Sequence, residues 1–488
     1  MQVNELLERR ARSTPAKTAL VCGGEAYSYA DLEDQASAFA GVLLEGGLQR
    51  GDRVAICLDN SIDAVVSLFG VLKAGGVFFI VNPQARLEYR NTLLTDSGAA
   101  AVVTREFSGS VQVSWRTTGD GAGSTGKVDP DLAALVYTSG STGTPKGVML
   151  THRNLVSAAA SICTYLENTA DDVIMCVLPL SFTYGLGQVT TAFHAGATLV
   201  LERSFTYPRA ALETMRRERV TGFAIVPTIA TLLLQQDLKR YRLPDLRYIT
   251  NAAAALPASK IQRLRLAFPG TRVYLMYGLT ECQRVSYLPP GLIEERPASV
   301  GVAIPGTEAY VVDERGARVG PGTIGELVVR GPHVMKGYWN QPDATARALR
   351  PGPVPGEMVL HTGDLFRTDE DNFLYFVERG DDVIKIRGEK VAPRHIEEVI
   401  ARLPGVAEVA VYGIPDDVSG EAVAAAVTPG EGISLTAVQI QRHCREHLEA
   451  YMVPKVVDIR ATLPTTTSGK VSRRALRLMA APARESAA

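Results

Sequence analysis

Alternation of strand-like and helix-like segments is the feature that most limits how this chain can fold. Residues 29–44 place apolar side chains at helical spacing, and residues 52–58 form a short apolar run. Residues 61–74 are again helical, with Ser61 as the N-cap, and residues 77–81 are typical of a buried strand. Strands that alternate with helices predict parallel βαβ units and an α/β fold.

The pattern changes twice further along the chain. From residue 309, short strands separated by Gly and Pro turns indicate a small β-rich subdomain. The last hundred or so residues resemble a separate α+β unit. At 488 residues the chain exceeds the size that one hydrophobic core usually supports. We therefore predict a large N-terminal domain over residues 1–380 and a small, mobile C-terminal domain over residues 381–488.

Charge and composition narrow the possible functions. The formal net charge is −1, which gives no electrostatic reason to expect nucleic-acid binding. Apolar runs stay below the roughly 18 residues of a membrane-spanning helix, and the first residues lack the apolar core of a secretory signal. Six cysteines without a CxxC pair are expected to be reduced, buried thiols. A cytoplasmic protein without a membrane span is the expectation.

The strongest local signal is a loop rich in glycine and hydroxyl groups after the apolar run at residues 132–137. Its sequence, YTSGSTGTPKGV, begins at Tyr137, and its glycines allow the backbone to approach a ligand closely. Hydroxyls, backbone N–H groups and Lys146 could surround phosphate oxygens. The mononucleotide pattern GxxxxGK[ST] is absent here. A surface turn is the alternative for a loop of this composition alone.

Further motifs follow in a fixed order, and together with STGTPKGV they resemble the adenylate-forming superfamily. This superfamily includes acyl-CoA synthetases, carrier-protein adenylation domains and luciferases. The matching segments are LKAGG at residue 72, YGLTE at 277, GEL at 325 with GY at 337, TGDL at 362, ERGDD at 378 and PTTTSGK at 464.

The resemblance implies an ATP site and a role for particular residues in it. Lys470 would be the catalytic cation at the transferring phosphorus, Thr280 would contact the α-phosphate, and Glu281 would bind ATP-associated Mg²⁺. Asp364 would accept hydrogen bonds from the ribose, and Arg379 would reach the ribose or phosphates. The remaining ATP or AMP contacts would come from Thr138, Ser139, Gly140, Ser141, Thr142, Gly143, Thr144, Lys146, Ala254, Tyr277 and Gly278.

A second half-reaction with a thiol is also implied. In the family, the C-terminal domain rotates between the two steps, and Asp381 lies at the hinge position. Lys385 and Gly388 would serve the thiol step. The acceptor would be CoA or the 4′-phosphopantetheine of an acyl or peptidyl carrier protein acting in trans, because the chain contains no carrier domain.

The acid pocket is expected around Phe182, Thr183, Tyr184, Ala252 and Ala253. Relatives that take α-amino acids have Asp where this chain has Thr183, and a buried ammonium without that carboxylate is costly. We therefore expect a fatty, hydroxy or aryl acid, to be converted to an acyl-AMP and then to a thioester. The alternative is a stand-alone adenylation enzyme that loads an amino or β-amino acid onto a carrier protein.

Two rival functions come from other features. The stretch from His443 to His447 fits the zinc-protease pattern HxxEH, although a solvated helical face is the preferred interpretation. A luciferase-like oxidase would share every adenylation motif, so light emission with luciferin would be needed to identify it.

Overall fold

The computed structural model describes residues 1–106, 110–116, 132–139, 145–379, 382–386, 389–416, 420–465 and 471–480. Its contacts divide the chain into two compact units. The first unit is Met1–Ala309 with Val328–His361, and the second is Tyr310–Leu327 with Thr362–Ala488. The sequence predicts a domain boundary between residues 380 and 381, at the hinge about which the small domain would turn. This boundary stays a prediction.

The larger sheet of the first unit is mostly parallel, as the alternating pattern predicts. Strands β1, β10, β9, β11, β12 and β13 run parallel in that order, and antiparallel strands complete both edges. The strands, in chain order, are β1 (Thr18–Cys22), β2 (Glu25–Ser28), β9 (Val173–Cys176), β10 (Thr198–Leu201), β11 (Gly222–Ile225), β12 (Tyr248–Asn251), β13 (Arg272–Tyr277), β14 (Ser286–Leu288) and β15 (Val302–Ala303).

A second sheet of the same unit carries the glycine-rich loop. Its order is β18-β8-β7-β4-β3-β5-β6, with β7 and β8 forming an antiparallel pair. The strands are β3 (Arg53–Ile56), β4 (Val77–Ile80), β5 (Ala101–Arg105), β6 (Val111–Trp115), β7 (Leu132–Ser139), β8 (Pro145–Thr151) and β18 (Gly337–Tyr338). A strand therefore follows the loop where a mononucleotide P-loop would have a helix.

Two helices of the first unit begin and end near predicted positions. The helix predicted over residues 29–44 is α2, and the one predicted after Ser61 is α3, whose Ser61 hydroxyl accepts a hydrogen bond from Ala64 N. The helices are α1 (Asn4–Ser13), α2 (Tyr29–Glu45), α3 (Ile62–Lys73), α4 (Leu87–Ser97), α5 (His152–Leu166), α6 (Thr183–Ala195), α7 (Pro208–Arg217), α8 (Pro227–Leu234), α9 (Ala258–Ala267) and α10 (Pro342–Ala348).

The β-rich segment predicted from residue 309 is present. It comprises β16 (Glu308–Val312), β17 (Gly325–Arg330), β19 (Leu349–Pro351), β20 (Met358–Thr368) and β21 (Leu374–Arg379). In the second unit, the end of β20 pairs with β21 as an antiparallel hairpin.

The rest of the second unit is a small α+β fold. A sheet of order β23-β22-β25-β24, with β26 beside β25, packs around a core that includes Ile396, Ile440 and Cys444. Its elements are β22 (Ile384–Ile386), β23 (Glu389–Val391), α11 (Pro393–Ala401), β24 (Val406–Asp416), β25 (Gly420–Pro429), α12 (Ala437–His447), β26 (Val456–Ile459) and α13 (Arg473–Ala480). The fold-class prediction is confirmed.

Two further expectations can be compared with the structure. Over the described residues, no helix combines the length and apolar character needed to cross a bilayer. All six cysteines are free thiols, and every one except the half-buried Cys22 is buried. The prediction of buried cysteines therefore holds for five of the six side chains.

Candidate active site

Two neighbouring parallel strands end at the same edge of the larger sheet. Strand β12 ends at Asn251 and β13 ends at Tyr277, with Asn251 opposite Leu275. The segments that follow, residues 252–254 and 278–281, therefore leave the sheet side by side. In open α/β sheets, this edge is where ligands bind. The topology thus brings Tyr277, a predicted ATP or AMP contact, near the predicted acid-pocket alanines.

The backbone at this edge is tightly built. A Cβ on Gly278 would lie 2.4 Å from the carbonyl oxygen of Gln283, so only glycine fits there. Gln283 has φ +59° and Ala253 has φ +73°, both in the left-handed region. Such residues cost roughly 1–2 kcal/mol each relative to the right-handed region. Strain of this kind is common at functional sites.

Glu281 is fixed at both its backbone and its side chain. Its carbonyl oxygen accepts a hydrogen bond from Met335 N at 2.7 Å, and its Oε1 accepts one from the Tyr338 hydroxyl at 2.7 Å. Within the described residues, no donor forms a hydrogen bond with Oε2. A half-buried carboxylate held by one oxygen, with the other available, suits a hard cation such as Mg²⁺.

The same tyrosine connects Glu281 to the glycine-rich loop. Thr138 of β7 lies opposite Lys146 of β8, and β8 also pairs with β18, which contains Tyr338. Lys146 Nζ lies 5.1 Å from the centroid of the Tyr338 ring, a cation–π distance. Lys146 and Glu281 thus both contact the Tyr338 side chain, and Thr138 lies opposite Lys146 on the neighbouring strand. The sequence placed Tyr338 in a family motif but gave it no role.

Several predicted site residues fall outside the described part of the structure. These are Gly140, Ser141, Thr142, Gly143, Thr144, Asp381, Gly388 and Lys470, and the side chains of Ser139 and Lys385. Their ATP, hinge and thiol roles stay predictions.

A narrow cavity lies beside the first turn of α6. Two residues of the predicted acid pocket, Thr183 and Tyr184, line it together with Thr250, Met276, Gln283 and Arg284 among others. Its volume is about 10 Å³, which is close to the space needed for one water molecule. Phe182, Ala252 and Ala253 do not line this cavity, although Ala252 is buried in the core cluster against which Tyr184 packs.

The Tyr184 side chain has a fixed position in this cavity. Its hydroxyl donates to the Thr250 carbonyl oxygen at 2.9 Å and lies 2.8 Å from the Thr250 hydroxyl. Burial raises the pKa of Tyr184, so the phenol stays neutral. Its ring lies 5.0 Å from the guanidinium carbon of Arg284. Arg284 was not predicted as a site residue, although it is a charge in the otherwise uncharged stretch after Glu281.

In the second unit, the two predicted ribose contacts are neighbours. Asp364 of β20 lies directly opposite Arg379 of β21, and Arg379 Nε is 3.2 Å from Asp364 Oδ1. Asp364 is buried, whereas about half of the Arg379 side chain is exposed. The β20–β21 hairpin therefore places a buried carboxylate beside a half-exposed guanidinium. The carboxylate in this arrangement can accept hydrogen bonds from the two hydroxyls of a diol.

Glu378, next to Arg379, belongs to a buried ionic cluster. It accepts hydrogen bonds from the backbone N–H groups of Arg379 and Arg394, and Arg473 lies 3.3 Å away. Arg473 also binds Asp382 and Glu397 at 2.9 Å. Burial raises the pKa of Glu378 although Arg473 opposes this. Burial by itself would lower the pKa of Arg473. The carboxylates around it, above all that of Glu397, outweigh this effect, and the pKa of Arg473 is raised. These contacts connect the residues on both sides of the predicted hinge to α13.

The HxxEH stretch lies on α12. Ligand atoms of His443, Glu446 and His447 lie within 4.8 Å of one another. One nitrogen of each histidine lies within 3.0 Å of a backbone carbonyl oxygen, and Glu446 pairs with Arg442. These contacts agree with the preferred interpretation of a solvated helical face.

Comparison with known proteins identifies the family. A family model described as AMP-binding enzyme matches residues 7–339, and the model of the AMP-binding enzyme C-terminal domain matches residues 395–470. The chain belongs to the AMP-binding enzyme family.

Curated relatives match over almost the whole length. A long-chain-fatty-acid–CoA ligase from Salmonella typhimurium is 32% identical, with 97% of this chain and 93% of the relative covered. A feruloyl-CoA synthase from an Amycolatopsis species is 34% identical, with 95% and 96% covered.

Solved structures show the same fold. ATP-bound MatB from Rhodopseudomonas palustris superposes with a TM-score of 0.87 at 31% identity, covering 98% of this chain and 99% of MatB. The o-succinylbenzoate CoA synthetase of Bacillus subtilis, in complex with its acyl-adenylate, gives 0.84 at 27% identity, with 97% of both chains covered. The predicted resemblance is confirmed, and so is the predicted class, an AMP-forming acid–thiol ligase. An amino-acid-loading adenylation enzyme is not favoured.

Proposed function

We propose that this enzyme joins a carboxylic acid to the α-phosphate of ATP, forming an acyl-adenylate and releasing pyrophosphate, and then transfers the acyl group to the thiol of CoA with release of AMP. The observation that carries the proposal is the group formed by Lys146, Tyr338 and Glu281 beside the hairpin β7–β8. One tyrosine hydroxyl holds Glu281 at 2.7 Å while its ring faces Lys146 at 5.1 Å. A cation and a metal-binding carboxylate in one fixed arrangement match the needs of a triphosphate.

The first half-reaction joins two anions, so the site must supply positive charge and fixed donors. Lys146 and the backbone of the glycine-rich loop would bind the outer phosphates, and Thr280 would donate to the α-phosphate. Glu281 would hold Mg²⁺, which supplies charge neutralisation on the triphosphate when bound. Lys470 would neutralise the oxygens at which the new bond forms and the old one breaks.

The second half-reaction would use the small domain in another orientation. Asp381 would absorb the backbone change, and the segment of Lys385 and Gly388 would replace that of Lys470. CoA is the proposed acceptor because the relatives that match over nearly the full length are named CoA ligases or synthases. A carrier-protein phosphopantetheine remains the alternative acceptor, and the cytoplasm is the proposed compartment.

The acid is proposed to lack an α-amino group. Thr183 lines the narrow cavity where relatives that take α-amino acids have a carboxylate.

Trapping of the adenylate with hydroxylamine tests the proposal. A panel of fatty, hydroxy, aryl, β-amino and α-amino acids would be assayed for pyrophosphate release, then with CoA and with carrier proteins for thioester. Replacing Lys470→Ala should slow release by about 10²–10³-fold or more. Lys239→Ala, at an exposed lysine, is the matched control. Unchanged release by Lys470→Ala would refute the assigned catalytic role, and an α-amino acid as best substrate would refute the proposed acid class.

A further inference from the structure

Arg284 is a buried cation that the proposed reaction does not use. Only 4% of its surface is exposed, and it lines the narrow cavity with Tyr184 and Thr183. Its guanidinium carbon lies 5.0 Å from the centroid of the Tyr184 ring, so the cation faces the aromatic wall of the cavity.

Arg284 has no charge partner within the described residues. None of their carboxylate oxygens lies within ion-pair distance of its guanidinium, and its buried Nε has no hydrogen-bond acceptor. Arg53, which is also buried, has several polar partners. It donates to the carbonyl oxygens of Ser97, Gly51 and Gly98, and Asp52 lies 3.8 Å away. The neighbours of the Arg284 guanidinium are instead two tyrosines, Tyr184 through its ring and Tyr165 through its hydroxyl, and neither supplies a countercharge. A buried charge without a countercharge is costly, so its presence at Arg284 calls for a reason.

The position of Arg284 is fixed by the strained turn before it. Gln283 has φ +59°, and its carbonyl oxygen packs where a Cβ on Gly278 would be. The Arg284 N–H donates to the Cys282 carbonyl oxygen at 2.6 Å. On the other side, Thr250 fixes the Tyr184 hydroxyl. The turn therefore holds the cation against the cavity wall, three residues after Glu281.

We propose that Arg284 recognises a second carboxylate at the far end of the acid, so that the substrate class is a short dicarboxylic acid. This inference rests on the proposed function. One carboxylate of the acid would be adenylated, and the other would form a bidentate ion pair with the guanidinium. Thr183, Gln188 and Gln283, which also line the cavity, add polar groups around that carboxylate.

The test compares acids that differ only at the far end. Pyrophosphate exchange is measured with succinate and glutarate, with their mono-amides, and with butyrate and valerate. The enzyme variants are Arg284→Met, Arg284→Lys and the control Arg240→Met, whose arginine is exposed on the surface. Thermal unfolding of each variant establishes that it is folded.

The expected result is a preference of the wild type for one dicarboxylic acid over its amide and over the monocarboxylic acid. Arg284→Met should lose at least about 30-fold in kcat/KM for that acid while gaining relative activity on the monocarboxylic acid. Arg284→Lys should recover part of the loss, and Arg240→Met should behave as wild type.

Two other results would overturn the inference in distinguishable ways. Exchange with monocarboxylic acids or amides at least as fast as with dicarboxylic acids refutes the role of Arg284 but leaves acid activation intact. An equal loss on all acids in a folded Arg284→Met also refutes it, since that pattern is structural. Absence of exchange with every acid counts against both the inference and the proposed function.

Discussion

The Tyr338 hydroxyl donates a hydrogen bond of 2.7 Å to Glu281, a residue 57 positions earlier in the chain. Glu281 is the proposed metal-binding carboxylate, and Tyr338 belongs to the two-residue strand β18 beside the glycine-rich hairpin. A residue that orients a ligand in this way acts as a positioning residue.

Removing the Tyr338 hydroxyl should lower the apparent affinity of the enzyme for Mg²⁺. Groups that orient metal ligands typically affect metal affinity or activity by about 10–100-fold. We expect Tyr338→Phe to raise the Mg²⁺ concentration needed for half-maximal pyrophosphate release, with less change at saturating Mg²⁺. Tyr207→Phe, at a tyrosine that is 77% exposed, is the control. An unchanged magnesium dependence in Tyr338→Phe would contradict the positioning role.

His333 should make stability depend on pH below neutrality. Burial lowers its pKa to about 4, from an ordinary value of 6.5. Between these values the unfolded chain binds a proton that the folded chain does not, so this contribution to stability is present above pH 6.5 and is lost as the pH falls towards 4. The full effect would be about 3 kcal/mol.

Urea unfolding of wild type and His333→Gln across this pH range measures the difference. The wild type should lose more stability than the variant as the pH falls. The exposed-site variant His395→Gln should keep the wild-type slope. Parallel curves for wild type and His333→Gln would be evidence against a neutral buried imidazole.

Breaking the ionic cluster of the second unit should destabilise that unit. Arg473→Met would remove the cation opposite Glu378, which is 1% exposed. Leaving one partner of a buried pair uncompensated typically costs about 3–5 kcal/mol, and the pKa of Glu378 should rise further. Calorimetry should therefore show a lower unfolding temperature for Arg473→Met, most strongly at high pH. The neighbouring exposed Arg474→Met is the control, and equal losses in both variants would exclude a specific role for the cluster.

The cysteines should differ sharply in reactivity. Burial raises the pKa of Cys57, Cys163, Cys176 and Cys444, and it also raises that of the half-buried Cys22. Because the thiolate is the reactive form, native protein should react slowly with an aryl disulfide reagent, and Cys22 first. Cys22→Ser should abolish the first phase. Rapid modification of several thiols in the folded protein would contradict the buried arrangement.

Local sequence signals predicted the elements well but could not predict their assembly. The period of apolar residues and the Ser61 cap gave α3 nearly to the residue, because both signals depend on neighbours within a few positions. The strand order of the larger sheet depends on contacts between distant segments. The same holds for the contact between Tyr338 and Glu281. The family motifs identified residues of the site, but they gave no distances or contacts between those residues.

Arg284 illustrates a second limit. Its charge was visible in the sequence, but a charged residue after a turn is usually solvated. Only packing against Tyr184 and the strained Gln283 reveals its burial. The strain at Ala253 could not be read from the sequence either, since its φ of +73° is a property of the folded backbone.

The paired strands that flank the glycine-rich loop also restrict how this segment can vary in length. Thr138 lies opposite Lys146, and Ser139 opposite Pro145. Successive side chains of a strand point to opposite faces, so an insertion or deletion of a single residue inside β8 would turn Lys146 away from the Tyr338 ring. Insertions of a single residue should accordingly be rejected within the hairpin strands.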